Sequence, residues 1–431
     1  MVRARGWGRP ADDQGGARPL SRLRELALDL TPLRESRDFR LIYLGTSISS
    51  IGSHITFVAV PFQVFALTHS TLAVGLLGLC DLVPLLTLSI VGGVLADAVD
   101  KRRLLLATES VAMACSLGFA ANAALGHPQL WAIYVLATIN AGTYALGSPA
   151  LRSATPHLVR TELLPAAAAL NHVYYNVGHI GGPVAGGALI ASIGLPATFL
   201  VDVATFVFAL GCMTLMSPIP PSPDVERPTL RSMFDGIRFL KGKPVLQGSF
   251  LVDINAMVFG MPNALFPAVA ASRFGGPGTL GLLYAAPAAG SLLVSVTSGW
   301  AGRIRRQGLV VYVAVIGWGA AIVAFGLAHV LWLAVAALAI AGGADFVSGI
   351  FRTAILQTAT PKNMLGRLHG VELAVVASGP SLGDIEAGAL AAATSVPFSI
   401  VFGGLACIAG VGLMAALMPE FARYDSAHPT P

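Results

Sequence analysis

The residues of this chain that could do chemistry are acids placed inside long apolar runs. We identify such acids at Asp81, Asp202, Asp253, Asp345, Asp384 and Glu386. A charged side chain is costly in hydrocarbon, so an acid there is a candidate for binding a proton or another ion. A carboxylate shielded from water takes up a proton near neutral pH, and a proton-coupled process requires such a group.

These acids are too many for all of them to bind protons, so some must be structural. We take Asp81, Asp253, Asp384 and Glu386 as the proton-coupling candidates. Asp253 ranks first because its apolar run contains no base to neutralise it, and Asp81 and Asp384 follow. Asp202 lies near one end of its run, where its carboxylate could simply reach the interface.

Asp384 and Glu386 lie two residues apart, which is roughly 200° around a regular helix. Both can face one cavity only if the helix is broken between or before them. Gly379, Pro380 and Gly383 precede the two acids and would allow such a break.

A polar stripe follows one helical face between residues 172 and 179. Its members, spaced i, i+3, i+4 and i+7, are His172, Tyr175, Asn176 and His179. Lipid would not accept these side chains, so the stripe faces either a cavity or another helix. Further cavity candidates in other runs are Asn140, Tyr144 and Asp345.

The elements that carry these residues are membrane helices. Hydrophobic residues make up 55 % of the 431-residue chain and charged residues 11 %, against about 25 % charged in ordinary globular proteins. A span needs about 20 apolar residues. We predict an all-α integral membrane protein with twelve spans, at 39–68, 72–97, 104–125, 129–152, 166–192, 196–217, 245–271, 278–301, 308–327, 329–356, 368–393 and 396–418.

The basic residues orient these spans. If the N-terminus is cytoplasmic and the loops alternate, 26 of the 27 Lys and Arg residues lie on the cytoplasmic side and only Arg273 lies outside. Bases favour cytoplasmic loops. We therefore expect a multi-pass plasma-membrane protein with both termini in the cytoplasm, and the net charge of +5 needs no nucleic-acid partner to explain it.

The runs divide the chain into five parts. Residues 1–38 form a cytoplasmic tail, 39–217 a six-helix half, 218–244 a cytoplasmic linker, 245–418 a second six-helix half and 419–431 a cytoplasmic tail. The linker begins with several prolines that forbid a continuing helix. Its alternating apolar and charged residues at Leu230–Lys241 predict a short amphipathic helix on the membrane surface.

Two motifs recur at nearly the same offset in the two halves. The loop that follows Gly93 has a counterpart after Gly299, 206 residues later, and Ala154-Thr155-Pro156 has a counterpart 205 residues later. This repetition indicates two parallel six-helix halves.

The loop after the second span resembles the signature of the major facilitator superfamily. Gly93, Asp97, Lys101 and Arg102 match its G-x-x-x-D-[RK]-x-G-[RK]-[RK] pattern. Ala98 and Asp100 depart from it. In that fold Asp97 would meet the positive end of the eleventh helix near 366–370 and act as a cytoplasmic latch; otherwise it is a solvated loop acid.

The fifth span carries a second signature, which in this superfamily goes with exporters. The matching residues of G-x-x-x-G-P-x-x-G-G are Gly178, Gly182, Pro183, Gly186 and Gly187. Glycines four residues apart give a smooth helix face for close packing.

Across the whole chain the sequence resembles the branch that contains siderophore exporters and macrolide-efflux proteins. Segments such as Arg37–Leu41, Val60–Val64 and Leu356–Pro361 carry the likeness. It implies a monomeric secondary exporter in the cell membrane that moves an amphipathic siderophore or drug-like compound outward by alternating access, in exchange for protons.

Three rival functions remain. An uptake carrier of the same fold is disfavoured by the signature in the fifth span. A non-transporting receptor or sensor would need a soluble domain larger than either tail or the linker. A membrane enzyme would need a nucleophile, a base or a metal-ligand set, and we find none; the four cysteines lie in apolar runs at unrelated spacings. We expect no cofactor and no metal, and no phosphate-binding glycine loop points to ATP.

Overall fold

The computed structural model describes residues 28–221 and 230–427, apart from the side chains of residues 230–234 and 363. Most of the predicted N-terminal tail, part of the linker and the last four residues lie outside this part. Within it, every regular element is a helix.

Twelve long helices cross the molecule. They are α1 (Arg37–Thr68), α2 (Thr71–Ala98), α3 (Lys101–Ala124), α4 (Leu130–Leu158), α5 (164–193), α6 (195–214), α7 (Pro244–Arg273), α8 (Pro277–Val296), α9 (Gln307–Leu327), α10 (Leu331–Ala359), α11 (Lys362–Ala393) and α12 (Val396–Leu417). Gly194, with a φ of 78°, separates α5 from α6 in an otherwise continuous helix.

The twelve-span prediction is confirmed. Ten helical segments in the described residues are long and apolar enough to span a membrane, and one of them, Thr161–Thr214, contains both α5 and α6. The remaining helix is α11, which has 32 residues. It is less apolar than the others because it carries Glu372, Asp384 and Glu386.

Two helices extend further than their apolar runs. The run of α4 ends at residue 152 and that of α11 starts at residue 368, yet the helices reach Leu158 and begin at Lys362. A helix needs only its backbone hydrogen bonds to continue beyond the hydrocarbon. Apolar composition therefore predicts the span and not the full helix.

The two halves repeat one packing pattern. α2 packs on α4 and α3 packs on the α5–α6 segment in the first half, while α8 packs on α10 and α9 packs on α12 in the second. Contacts between the halves run mainly through two helix pairs, α2 with α11 and α5 with α8.

We call the end of the bundle that holds the start of α1, the α2–α3 loop and the end of α12 the terminal face, and the opposite end the far face. The halves meet closely towards the far face. A Cβ on Gly75 would lie 2.6 Å from the Asp384 carbonyl oxygen, and one on Gly187 would lie 2.7 Å from the Pro277 carbonyl oxygen. Only glycine lets the backbones approach so closely.

Towards the terminal face this contact is lost. A Cβ on Gly366, near the start of α11, would meet nothing within 4 Å. Tyr144 of α4 and Tyr175 of α5 are 62 % and 52 % exposed although they lie inside the bundle's span. The halves therefore enclose a cleft that is closed at the far face and open at the terminal face.

The linker contacts both halves. Its start binds the beginning of α3, where the Lys101 backbone N–H donates to the Ile219 carbonyl oxygen at 3.1 Å. A helix spans Leu230–Leu240. It packs on the start of α11, where Arg367 and Asp235 form an ion pair at 3.4 Å.

The charge distribution gives a test of orientation. In a background without the native cysteines, Ser222→Cys and Ser426→Cys should resist a membrane-impermeant thiol reagent in intact cells, because the base-rich terminal face is expected in the cytoplasm. Both should react once the membrane is permeabilised.

His127→Cys is the matched control, since His127 is exposed in the α3–α4 loop of the far face. It should react in intact cells. Labelling of position 222 or 426 from outside would reverse the topology.

Candidate functional site

A partly open cavity of about 150 Å³ lies between the halves, just inside the far-face contact. Two acids from opposite halves line it, Asp81 of α2 and Asp384 of α11. Asn140 of α4 and Tyr284 of α8 add polar groups, and the remaining lining residues include Ser53, Thr56, Phe57, Phe119, Asn263 and Ala264.

The cavity sits beside a break in α7. The regular helix stops at Gly260 and resumes at Phe266, with a 3₁₀ turn at Asn263–Leu265 between them. Asp384 Oδ1 accepts a hydrogen bond from the Ala264 backbone N–H at 2.8 Å, and the Tyr284 hydroxyl donates to the Asn263 carbonyl oxygen at 3.0 Å. The broken backbone is thus satisfied by side chains, as membrane depth requires.

The break in α11 that Gly379, Pro380 and Gly383 would allow does not occur. α11 is a continuous helix from Lys362 to Ala393 with Pro380 inside it. Asp384 consequently lines the cavity while Glu386, two residues further on, does not. The sequence contained the signal for the real break in α7, namely Met261-Pro262 in the middle of an apolar run.

The stripe on α5 faces the open cleft. His172 and Tyr175 are exposed, and Asn176 is half-buried with its Nδ2 donating to the His172 carbonyl oxygen at 2.8 Å. Tyr175 interacts electrostatically with Tyr144 of the same half and with Asp345 of the other half. The stripe therefore forms one wall of the cleft.

The deeper end of the stripe packs on α1. The His179 ring stacks on Tyr175 with 3.9 Å between ring centroids, and its centroid lies 4.0 Å from that of His54. Sequence reasoning missed His54. The sequence feature that could have indicated it is a histidine inside the first apolar run.

Asp253 is not the unneutralised carboxylate that we expected. It forms an ion pair with Arg352 of α10, and their side chains are only 7 % and 11 % exposed. Arg352 also lies 4.0 Å from Asp345, whose side chain is 39 % exposed to the cleft. The base that neutralises Asp253 comes from another span. The absence of a base from the seventh run therefore did not show that Asp253 lacks a counter-charge.

Arg352 is also misplaced in the orientation count. We assigned it to a cytoplasmic loop, but it lies within α10, seven residues before the helix ends at Ala359. Its signal was available: Arg352 falls inside the predicted span 329–356 and seven residues after Asp345, on the same helical face.

Asp202 is not an interfacial acid. It is buried, and its Oδ2 accepts hydrogen bonds from the hydroxyls of Thr56 at 2.6 Å and Ser116 at 2.7 Å. It thereby ties α1, α3 and α6 together. The sequence analysis overlooked a further acid within the bundle, Glu109 of α3. Its Oε2 is buried and has no hydrogen-bond partner among the described residues.

The bases at the start of α3 bind the end of α6 and the beginning of the linker. Arg102 Nε donates to the Met213 carbonyl oxygen at 2.9 Å, and Lys101 Nζ donates to the Pro220 carbonyl oxygen at 3.3 Å. Cations at a helix C-terminus satisfy its free carbonyl groups and oppose its dipole. Asp97 and Gly93 are half-buried at the end of α2, and Asp97 has no hydrogen bond or ion pair within the described part of the chain.

The signature of α5 has two faces. Gly178, Gly182 and Gly186 pack on α1, against residues 50–55. Gly187 and the Pro183 carbonyl group instead meet Gly281 of α8 in the opposite half. One face therefore binds α5 within its half, and the other forms the far-face contact.

Two six-helix halves around a central polar cleft are the architecture of major facilitator transporters. The chain is similar to a solved structure of the nucleoside transporter NupG (TM-score 0.71, 12 % identical, 90 % of this chain and 98 % of that one). It is also similar to a bacterial homologue of the iron transporter ferroportin in an inward-facing state (TM-score 0.65, 14 % identical, 90 % and 98 %). These likenesses show the fold.

Sequence comparison shows the family. Residues 27–429 match the family described as transmembrane secretion effector, and the chain belongs to this family of the major facilitator superfamily. It is 32 % identical to the enterobactin exporter EntS of Citrobacter koseri, over 94 % of this chain and 97 % of that protein. It is 33 % identical to EntS of Shigella boydii, over 93 % and 97 %. The protein is thus a multi-pass membrane transporter and not an enzyme.

The ion pair of Asp253 and Arg352 gives a stability prediction. Arg352→Gln leaves a buried carboxylate without its partner, which costs about 3–5 kcal/mol. We expect a lower thermal unfolding midpoint for the purified protein in detergent.

The double variant Asp253→Asn with Arg352→Gln removes both charges and should recover much of the loss. Arg367→Gln is the control, because the Arg367–Asp235 pair is about half exposed and worth little. A parent-like midpoint for Arg352→Gln would contradict the assigned pair.

Proposed function

We propose that this protein exports an amphipathic small molecule across the plasma membrane by alternating access, driven by proton entry. The observation that carries the proposal is the full-length similarity to proteins named enterobactin exporters. The glycine signature of α5 resembles one that goes with exporters in this superfamily, which favours export over uptake.

The cleft suits a substrate with aromatic and polar parts. Its walls carry Tyr144, Tyr175 and His172 on one half and the exposed carboxylate of Asp345 on the other. Aromatic faces bind planar apolar groups, while the carboxylate accepts hydrogen bonds from hydroxyl or ammonium groups. A siderophore is the first candidate because of the relatives, and a drug-like compound is the second.

The conformation fits the start of an export cycle. If the terminal face is cytoplasmic, as its bases favour, the cleft opens to the cytoplasm and takes substrate from there. Release on the other side requires the far-face contact to open and the terminal face to close. The two states then alternate around one central site.

Protons are the proposed driving ion, and the cavity between the halves supplies the carboxylates. Asp81 and Asp384 face the cavity without a base among its lining residues. Asp253 is a weaker candidate because Arg352 already compensates its charge. Glu386 does not line the cavity.

The coupling is tested in everted membrane vesicles with enterobactin and with a macrolide as probes. An imposed pH gradient, acidic inside, should drive uptake into the vesicles, which corresponds to export from cells. Collapsing the gradient should abolish it. Equal transport with and without the gradient would refute proton antiport, and transport only in the opposite direction would indicate an uptake carrier.

The latch gives a second test. Asp97 has no partner among the described residues in this state, and we propose that it binds the start of α11 when the terminal face closes. Asp97→Asn should lower the export rate, because losing a contact of about 1–2 kcal/mol shifts a two-state equilibrium roughly 5–30-fold.

Asp100→Asn is the matched control. Asp100 caps α3 by accepting from the Arg103 backbone N–H at 3.1 Å, and asparagine caps a helix about as well. This variant removes one charge from the same loop and should export at the parent rate. If Asp97→Asn does so too, Asp97 is a loop acid without a latch role.

A further inference from the structure

Closure of the far face brings Asp81 and Asp384 into one cavity. Asp81 follows Gly78 by less than one helical turn, and Gly78 packs on the Ser381 carbonyl group of α11. The backbone of Asp384 packs on Gly75 of α2. Nearby, the Thr71 hydroxyl donates to the Gly388 carbonyl oxygen at 3.1 Å. The two acids belong to different halves, so they separate when the far face opens.

No base compensates the two carboxylates in the cavity. The lining residues from α1, α3, α4, α7 and α8 are apolar, hydroxyl or amide groups, and Tyr284 is the other titratable one. Beside Asp81 in the chain, Cys80 is a half-buried free thiol. Nearby charges on the packed helices are engaged elsewhere: Asp253 of α7 pairs with Arg352, and His54 of α1 contacts His179.

The two acids differ in their hydrogen bonds. Asp384 accepts from the Ala264 backbone N–H, an interaction that is strongest when the carboxylate is ionised. Asp81 has no hydrogen bond among the described residues that would favour its charged form. Two ionised carboxylates that share one cavity repel each other, and a proton on either of them removes that repulsion.

We propose that Asp81 and Asp384 form one proton-binding site that exists only while the far face is closed, with the proton on Asp81 and Asp384 ionised. The proton is then a ligand of the closed far face. Asp81 takes up the proton while the far face is open, and closure completes the site by bringing Asp384 into the same cavity. The bound proton therefore favours closure of the far face and opening of the cleft at the terminal face. This proposal rests on the proposed proton-driven export and assigns its coupling site.

Under this proposal, the fraction of molecules with a closed far face rises as the pH falls. At high pH both carboxylates are ionised and the closed far face is disfavoured. As the pH falls, one proton binds and the closed population rises. For one linked proton, the ratio of closed to open molecules changes up to tenfold per pH unit.

The test measures far-face closure without substrate or gradient. Spin labels are attached to cysteines that replace His69 and Ala392, which line a cleft at the far face from opposite halves. Distances between the labels are measured on detergent-purified, otherwise cysteine-free protein from about pH 5 to about pH 9. Acidification should shift the distribution towards the short, closed distance.

The variants identify the site. Asp81→Asn and Asp384→Asn each remove the repulsion, so the closed population should stay high and lose its pH dependence. Glu386→Gln removes a carboxylate from the same end of α11, outside the cavity, and should keep the parent response. Each variant is first checked for the parent's elution volume in size-exclusion chromatography.

A parent protein whose label distances ignore pH would overturn the proposal, and so would full pH responses in both Asn variants. The result is separable from that of the vesicle experiment. If closure responds to pH but transport ignores the gradient, the site stands and proton-driven export fails. If transport needs the gradient while closure ignores pH, export stands and this site fails.

Discussion

The rest of the structure depends on the close approach of helix backbones between the two halves at the far face. Glycines on α2 and α5 meet the backbones of α11 and α8, where any side chain would collide. This contact closes the far end of the cleft and leaves the terminal end open. It also forms one end of the cavity between the halves, because the cavity is the space directly behind the contact.

Buried charges in this bundle serve two different purposes. Asp202, bound by hydroxyls of α1 and α3, and Asp253, paired with Arg352 of α10, are satisfied within one half and hold that half together. Asp81 and Asp384 are brought together only by docking of the halves. A polar group satisfied inside a rigid half costs the same in both states of a carrier, whereas one placed between the halves can respond to the change of state.

The twelve helices could be predicted from the sequence because the apolar composition of each run is enough to place that run in lipid. This prediction requires no knowledge of which helices contact each other. The sequence also indicated that Asp384 and Glu386 can share one cavity only if α11 is broken, and left open whether it is. It could not predict that Arg352 pairs with Asp253, because partners on separate helices depend on how the helices pack. The break in α7 was missed although Pro262 indicates it, because the seventh run remains apolar across the interruption.

A contact made of glycine backbones has a mechanical consequence. When Gly187 and Gly281 dock, no side chain at this contact has to give up rotamer freedom, so docking carries no side-chain entropy cost there. A bound proton or substrate then shifts the carrier between its two states by as much as its affinities for those states differ.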